Sequence, residues 1–68
     1  MSKLIRMPIV EERTGYTSST IYLAIREGTF PKPVKIGARA SAWVESEVDT
    51  WIKARINERD AEQQAFVR

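Results

Sequence analysis

The chain has 68 residues, a net charge of +2 at pH 7 and neither cysteine nor histidine. A chain of this length holds one domain with a modest core. Because cysteine and histidine are absent from the sequence, disulfides, thiolate or imidazole metal sites and histidine base chemistry are excluded. No apolar run is long enough to cross a bilayer and no signal-peptide pattern is present, so we expect a soluble cytoplasmic protein without a cofactor.

The charges are divided unevenly along the chain. Residues 1–44 carry seven cationic side chains against three acidic ones, a net +4, whereas residues 45–68 carry four against six, a net −2. A basic front half is typical of a surface that meets phosphate groups. An ordinary solvated surface of mixed charge fits the same numbers, and charge alone leaves both interpretations open.

A short helix is predicted near the start of the chain. Leu4-Ile5-Arg6 forms either a brief strand or an ordered lead-in. Pro8 suits the first helical position, where a missing N–H costs nothing, and Gly15 can supply a left-handed stop. The first helix is therefore expected from about Pro8 to Thr14.

A second helix is expected over Ser18–Glu27. Thr17 can cap its first turn, and Gly28 can close it. One face carries apolar residues that should pack on the first helix: Ile21, Ala24 and Ile25. Another face remains free: Ser18, Ser19, Tyr22 and Arg26.

A β-hairpin is predicted after two prolines that favour extended backbone. In Val34-Lys35-Ile36 apolar and basic residues alternate, so Val34 and Ile36 are expected to face inward and Lys35 outward. Residues 37–39 form the turn and residues 40–43 return. An irregular loop is the alternative.

A third helix is predicted from about Glu45. Val48, Trp51, Ile52 and Ile56 recur at helical spacing. Trp51 and the earlier Trp43 are predicted to lie in the core. We expect residues 1–57 to form the domain and residues 58–68 to form a polar tail or a helix extension.

Two helices with a tight turn, a hairpin and a packing helix predict a mainly α winged helix-turn-helix with a small β-hairpin. In such a unit the second helix lies in the major groove of DNA and its first residues approach base edges. The predicted DNA contacts come from the second helix, the connection after it and the hairpin: Thr17, Ser18, Ser19, Thr20, Tyr22, Arg26, Lys32, Lys35, Arg39 and Ser41.

The helix residues in this set each have a structural alternative. Ser18 and Ser19 can contact bases or phosphates, or can merely extend the cap region, where hydroxyl residues are favoured. Tyr22 can reach the DNA backbone, cover the hinge as a partly buried ring, or do both.

The two arginines in the set have alternatives as well. Arg26 can contact the backbone or form a fork on guanine, or can instead pair with Glu12 or Glu27. Arg39, at the hairpin tip, can contact a phosphate or enter a narrow minor groove, and its alternative is a solvated turn residue.

Several segments also occur in a familiar order: Leu-Ile-Arg-Met-Pro at 4–8, Arg-Thr-Gly-Tyr-Thr at 13–17, Ser-Thr-Ile-Tyr at 19–22, Glu-Gly-Thr-Phe-Pro-Lys-Pro-Val-Lys-Ile-Gly at 27–37, Arg39 and Trp43. Together they resemble the AlpA family, small phage and prophage regulators related to the MerR-like excisionases. The resemblance covers about residues 4–56, and its motifs are specific only in combination.

This resemblance implies a winged helix-turn-helix that binds double-stranded DNA and regulates transcription of prophage or mobile-element genes that control integrase or excision. A second role in the same class is an excisionase-type directionality factor that bends attachment-site DNA. Two departures point to weaker or differently specified binding. Ser19 stands where members commonly have arginine, and Leu23 stands where many have a basic or polar residue.

Other classes of function are less well supported by the residues. The acidic pairs Glu11-Glu12 and Glu45-Glu47 lie at helix starts, and no phosphate loop or nucleophile–base pair exists, so no enzyme is expected. A protein-interaction adaptor on this scaffold is the alternative of another class. Expected partners are double-stranded DNA, further copies of the chain on DNA, and integrase or RNA polymerase.

Overall fold

The computed structural model describes the backbone of residues 3–66 and the side chains of residues 3–62. Over these residues the elements are β1 (Leu4–Ile5), α1 (Met7–Thr14), α2 (Ser18–Glu27), β2 (Val34–Gly37), β3 (Ala40–Val44) and α3 (Glu45–Phe66). The strands form one antiparallel sheet in the order β1-β3-β2. The predicted mainly α fold with a small hairpin is confirmed, and it is consistent with a winged helix-turn-helix.

The turn between α1 and α2 depends on the residues that end one helix and begin the next. Gly15 adopts φ 78° and its N–H donates to Glu11 O at 2.8 Å, which closes α1. Thr17 then caps α2, since its Oγ1 accepts from Thr20 N at 3.3 Å. α1 begins at Met7, one residue earlier than predicted, with Pro8 inside its first turn.

The core lies where both short helices and α3 meet the central strand β3. Its fully buried side chains are Val10 of α1, Ile21 of α2, Trp43 of β3 and Val48 of α3. Burying each large apolar side chain contributes about 1.5–3 kcal/mol. The Trp43 ring is also fixed in orientation, because its Nε1 donates to Pro31 O at 3.0 Å.

The apolar face predicted for α2 is confirmed. Ile21 is 0% exposed and Ala24 is 8% exposed, while Ile25 is partly buried against the same cluster. Gly28 ends the helix at φ 81°, as expected from its position.

Trp51 lies at the edge of the core, whereas Trp43 lies inside it. The Trp51 ring is partly buried and makes edge contacts with Tyr16 and Phe30, at centroid distances of 5.4 and 5.0 Å. Its Nε1 donates to Thr29 O at 2.6 Å. Trp51 therefore joins the connection after α2 to α3.

The predicted inward orientation of Val34 and Ile36 is wrong. Val34 is 42% exposed and Ile36 is 45% exposed, and all of β2 is exposed. β2 is the edge strand of the sheet and its main neighbour is β3 rather than a helix. In addition, an irregularity between Lys35 and Gly37 interrupts the pairing at Ile36, so the simple alternation does not hold.

α3 begins directly after β3 and is tied to α1 by Arg13. The Arg13 guanidinium pairs with Glu45 Oε2 at 2.6 Å and with Asp49 Oδ1 at 3.3 Å. The helix then continues to Phe66, so the backbone of residues 58–66 is an extension of α3. Contacts between copies of the chain are expected from the sequence at the apolar tail residues Ala65 and Phe66, and the side chains of both lie outside the described residues. Residues 67–68 lie wholly outside them. None of the helices described is long and apolar enough to cross a membrane.

Candidate nucleic-acid interface

The N-terminal end of α2 is organised by two threonines. Thr17 Oγ1 and Thr20 Oγ1 lie 3.1 Å apart in a hydrogen bond, in addition to the cap from Thr17 to the Thr20 N–H. Both side chains are exposed. Their hydroxyls are already engaged with one another, so these two predicted contacts have an established structural role in starting the helix.

Ser18 and Ser19 are not needed for that cap. Ser19 is exposed and Ser18 is partly buried, and within residues 3–62 neither hydroxyl hydrogen-bonds to another protein group. Among these residues the two hydroxyls at the start of α2 thus have no protein partner, and their contact with DNA stays a prediction.

Tyr22 lies one turn further along α2 and packs on the sheet while staying exposed; its contact with DNA stays a prediction. Its side chain is 52% exposed, and its ring packs at a tilt against Trp43 at a centroid distance of 6.4 Å. The ring therefore couples α2 to β3 while its outer part remains accessible.

Arg26 and Leu23 complete the exposed side of α2. Leu23 is 48% exposed and Arg26 is exposed. Arg26 forms no salt bridge among the described residues, so its pairing with Glu12 or Glu27 is not found. We call the exposed residues Ser19, Tyr22, Leu23 and Arg26 the recognition face.

The hairpin of β2 and β3, which we call the wing, carries three of the predicted site residues. Arg39 is exposed in the two-residue turn between Gly37 and Ala40. Lys35 is exposed and pairs in register with Ser41, which is partly buried. The wing thus presents two exposed cations, Lys35 on β2 and Arg39 in the turn, and every residue of β2 is exposed.

The recognition face and the wing meet in one cleft of about 440 Å³. We call it the arginine cleft, and it is lined by Arg6, Met7, Pro8, Tyr22, Arg39, Ser41 and Trp43. Three predicted contacts, one from α2 and two from the wing, therefore converge on a single depression. Among the side chains that the structure describes, no carboxylate lines it.

Lys32 is not brought into this group. It lines a different cleft with Pro31 and the first turns of α3, beside Glu47. The two clefts share no lining residue. Lys32 is therefore not part of the arginine cleft, and its contact with DNA stays a prediction.

Arg6 is a candidate that inspection of the sequence did not single out. It lies in the arginine cleft because Ile5 pairs with Trp43, which brings the start of the chain beside the wing. That pairing joins residues far apart in sequence, and no local sequence pattern predicts it. The only available signal was an unassigned arginine in the Leu-Ile-Arg-Met-Pro segment.

Comparison with known proteins gives a consistent result. The family described as "Prophage CP4-57 regulatory protein (AlpA)" matches residues 3–56, a range that contains α1, α2, the wing and the first half of α3.

Two relatives are similar over most of the chain. One is the uncharacterized protein ORF88 of Enterobacteria phage P4, with 43% identity over 54 residues, 79% of this chain and 61% of that relative. The other is the DNA-binding transcriptional activator AlpA of Escherichia coli (strain K12), with 32% identity over 59 residues, 78% of this chain and 84% of that protein. The chain therefore spans about three fifths of the length of the phage relative.

Proposed function

Because the chain belongs to the AlpA family of prophage regulatory proteins, we propose that it is a sequence-specific, double-stranded DNA-binding regulator of prophage or mobile-element genes. The activator of Escherichia coli to which it is similar is a DNA-binding protein by name. The target genes we propose are those controlling integrase or excision.

The observation that carries this proposal is that α2 is buried on one side and exposed on the other. Its inner face is anchored by Ile21 at 0% exposure, whereas the recognition face on its outer side is free of intramolecular ion pairs among the described residues. An anchored helix with a free polar N-terminal turn is what insertion into a major groove requires, because base edges must be met at fixed positions.

The coupling of α2 to the wing supports the same function. Tyr22 packs on Trp43 of β3, and Arg39 lies in the turn that leads into that strand. With α2 in the major groove, the wing then lies over the neighbouring backbone, where Arg39 and Lys35 are suited to phosphate contacts.

The proposal is tested by selecting duplexes from a random pool at moderate salt. We expect the native chain to enrich a motif, and a variant with Ser18, Ser19 and Arg26 all changed to alanine to lose discrimination while keeping its thermal unfolding midpoint. Arg59→Ala is the matched control, since Arg59 lies on α3 and pairs with Asp60. Discrimination retained in the triple variant would refute the assignment of α2 as the reading helix.

Salt dependence gives a second measurement of the same interface. If four to six phosphates are contacted, log affinity should fall with log salt at a slope of about −4 to −5. A flat response would contradict binding through the phosphate backbone.

Cooperative binding of several copies on DNA is part of the proposal, and it includes the excisionase-type role. A single small module covers few base pairs, and on α3 residues 55–62 are all exposed, Ile56 among them at 43%. We expect Ile56→Glu to lower binding cooperativity on a multi-site duplex, and Asn57→Glu, which adds the same charge one residue away, to leave it unchanged. Equal Hill coefficients for both variants would exclude this surface.

Integrase and RNA polymerase are the protein partners we propose to test on the DNA-bound complex. If the native chain binds no duplex even at low salt but captures one of them, the adaptor function replaces DNA regulation.

A further inference from the structure

The arginine cleft joins three parts of the chain that are distant in sequence. Arg6 lies at the junction of β1 and α1, Tyr22 lies on α2, and Arg39 and Ser41 belong to the wing. Among residues 3–62 neither arginine forms a salt bridge with a carboxylate. Two arginines without a salt bridge among these residues thus line one depression. Its other polar side chains are the hydroxyls of Tyr22 and Ser41 and the indole of Trp43, which already donates to Pro31 O.

The backbone that carries Arg6 is held in place on both sides. Its carbonyl accepts hydrogen bonds from Ile9 N at 3.0 Å and Val10 N at 3.1 Å, and the preceding Ile5 pairs with Trp43. The Arg6 side chain takes no part in capping α1. The main chain is therefore preorganised, and the guanidinium is free for a ligand.

The chemistry of the lining selects the ligand. Guanidinium groups bind phosphate oxygens through paired, charge-assisted hydrogen bonds, and the hydroxyls of Tyr22 and Ser41 can donate to the same oxygens. The depression is open and lies next to the recognition face, so a group presented by a bound duplex can enter it.

We propose that the arginine cleft holds one backbone phosphate of the bound duplex, clamped between Arg6 and Arg39 with Tyr22 and Ser41 as further donors. The inference rests on the proposed DNA binding and extends it in two ways. It gives Arg6 a role in binding, and it places Arg39 on the same phosphate as Arg6. A clamp that spans α1, α2 and the wing would also fix how α2 lies in the groove.

The test measures equilibrium affinity for a selected duplex and a scrambled duplex at several salt concentrations. Variants are Arg6→Gln, Arg39→Gln and the double variant, with Arg59→Gln as the charge-matched control on α3. Each single variant is expected to weaken binding about tenfold, equally for both duplexes, since a phosphate contact carries no sequence information. Arg59→Gln is expected to stay near the native affinity.

The double variant shows whether the two arginines hold the same phosphate. For one shared phosphate, we expect the double variant to bind about 10- to 20-fold more weakly than the native chain and to lower the salt slope by about 0.9. Independent phosphates would give about 100-fold and a slope change of about 1.8, and that result would overturn the clamp.

Further outcomes separate this inference from the proposed function. If the native chain binds specifically but Arg6→Gln behaves like Arg59→Gln, the clamp is wrong and DNA binding stands. If the native chain binds no duplex, both fail. Should Arg6→Gln lower the thermal unfolding midpoint, Arg6→Lys provides the test, because it keeps the charge but loses the planar fork and is expected to weaken binding less than glutamine does.

Discussion

The strands β3 and β2 lie side by side in one sheet but have opposite environments. In β3 the neighbouring residues Ala42 and Trp43 are each 1% exposed. Adjacent side chains on a strand point to opposite faces, so the central strand is covered on both sides. In β2 every residue is exposed, including Val34 and Ile36.

This difference separates the part of the molecule that holds the fold from the part that is free to meet a partner. β3 contacts α1 and α3 and receives the ring of Tyr22. β2 is held mainly by its pairing to β3. Its one cation, Lys35, is exposed, is supported by the pairing to β3 and contributes little packing.

The largest effect is expected from removing the ring at the centre of β3. Trp43→Ala should lower the free energy of unfolding by about 3–5 kcal/mol, because it leaves a cavity among Val10, Ile21 and Val48. That loss approaches the whole stability of a small domain. Chemical denaturation followed by the fluorescence of Trp51 measures it.

The milder Trp43→Phe variant tests the same site without emptying it. It removes the hydrogen bond to Pro31 O and part of the ring, and it should cost clearly less than alanine. A loss below 1 kcal/mol for Trp43→Ala would contradict the central place given to β3.

A smaller loss of stability is expected from replacing Gly28, the glycine that ends α2. Gly28 adopts φ 81°, a conformation that costs an L-residue about 1–2 kcal/mol. Gly28→Ala should therefore lower the free energy of unfolding by about that amount.

Gly37, at the end of the edge strand, is the matched control. It has no positive φ, and an added Cβ would meet Ala40 Cβ at 3.6 Å, an ordinary contact. Gly37→Ala should cost much less than Gly28→Ala. Equal losses in thermal unfolding would show that φ is not the cause.

The contrast between the strands also marks where inference from the sequence succeeds. Local signals predicted the start of α1 to within one residue, at Pro8 instead of Met7. They also predicted that Thr17 caps α2 and that Gly15 and Gly28 end the two helices. Each of these depends on the backbone within one turn of the residue, which neighbouring side chains determine.

Features that depend on distant pairing could not be predicted in the same way. The alternation in β2 suggested a buried face, but whether a helix covers that strand is decided by the sheet order. The position of Arg6 in the same cleft as Arg39 likewise follows from the pairing of Ile5 with Trp43. The DNA contacts proposed for both arginines stay predictions.

The same contrast between inward and outward roles can be tested within α2. Thr17→Ala removes the cap on Thr20 N and should lower the free energy of unfolding by about 1 kcal/mol. Ser19→Ala, two residues away and exposed, should leave stability within about 0.5 kcal/mol but weaken DNA discrimination. Thermal unfolding and duplex binding of both variants measure these effects. If Ser19→Ala lowered the free energy of unfolding as much as Thr17→Ala does, Ser19 would have a structural role in starting α2.

The smallest effect is expected at the exposed valine of β2. Val34→Thr keeps the branched shape that favours a strand and places its hydroxyl in water, so the free energy of unfolding should change by less than about 0.5 kcal/mol. The same substitution at Val48, which is 0% exposed, buries a hydroxyl and should cost about 1–3 kcal/mol. Denaturation of the two variants under one set of conditions compares them directly. A large loss at Val34 would mean that β2 is packed like β3, and it would contradict the description of the wing as an exposed surface held mainly by its pairing to β3.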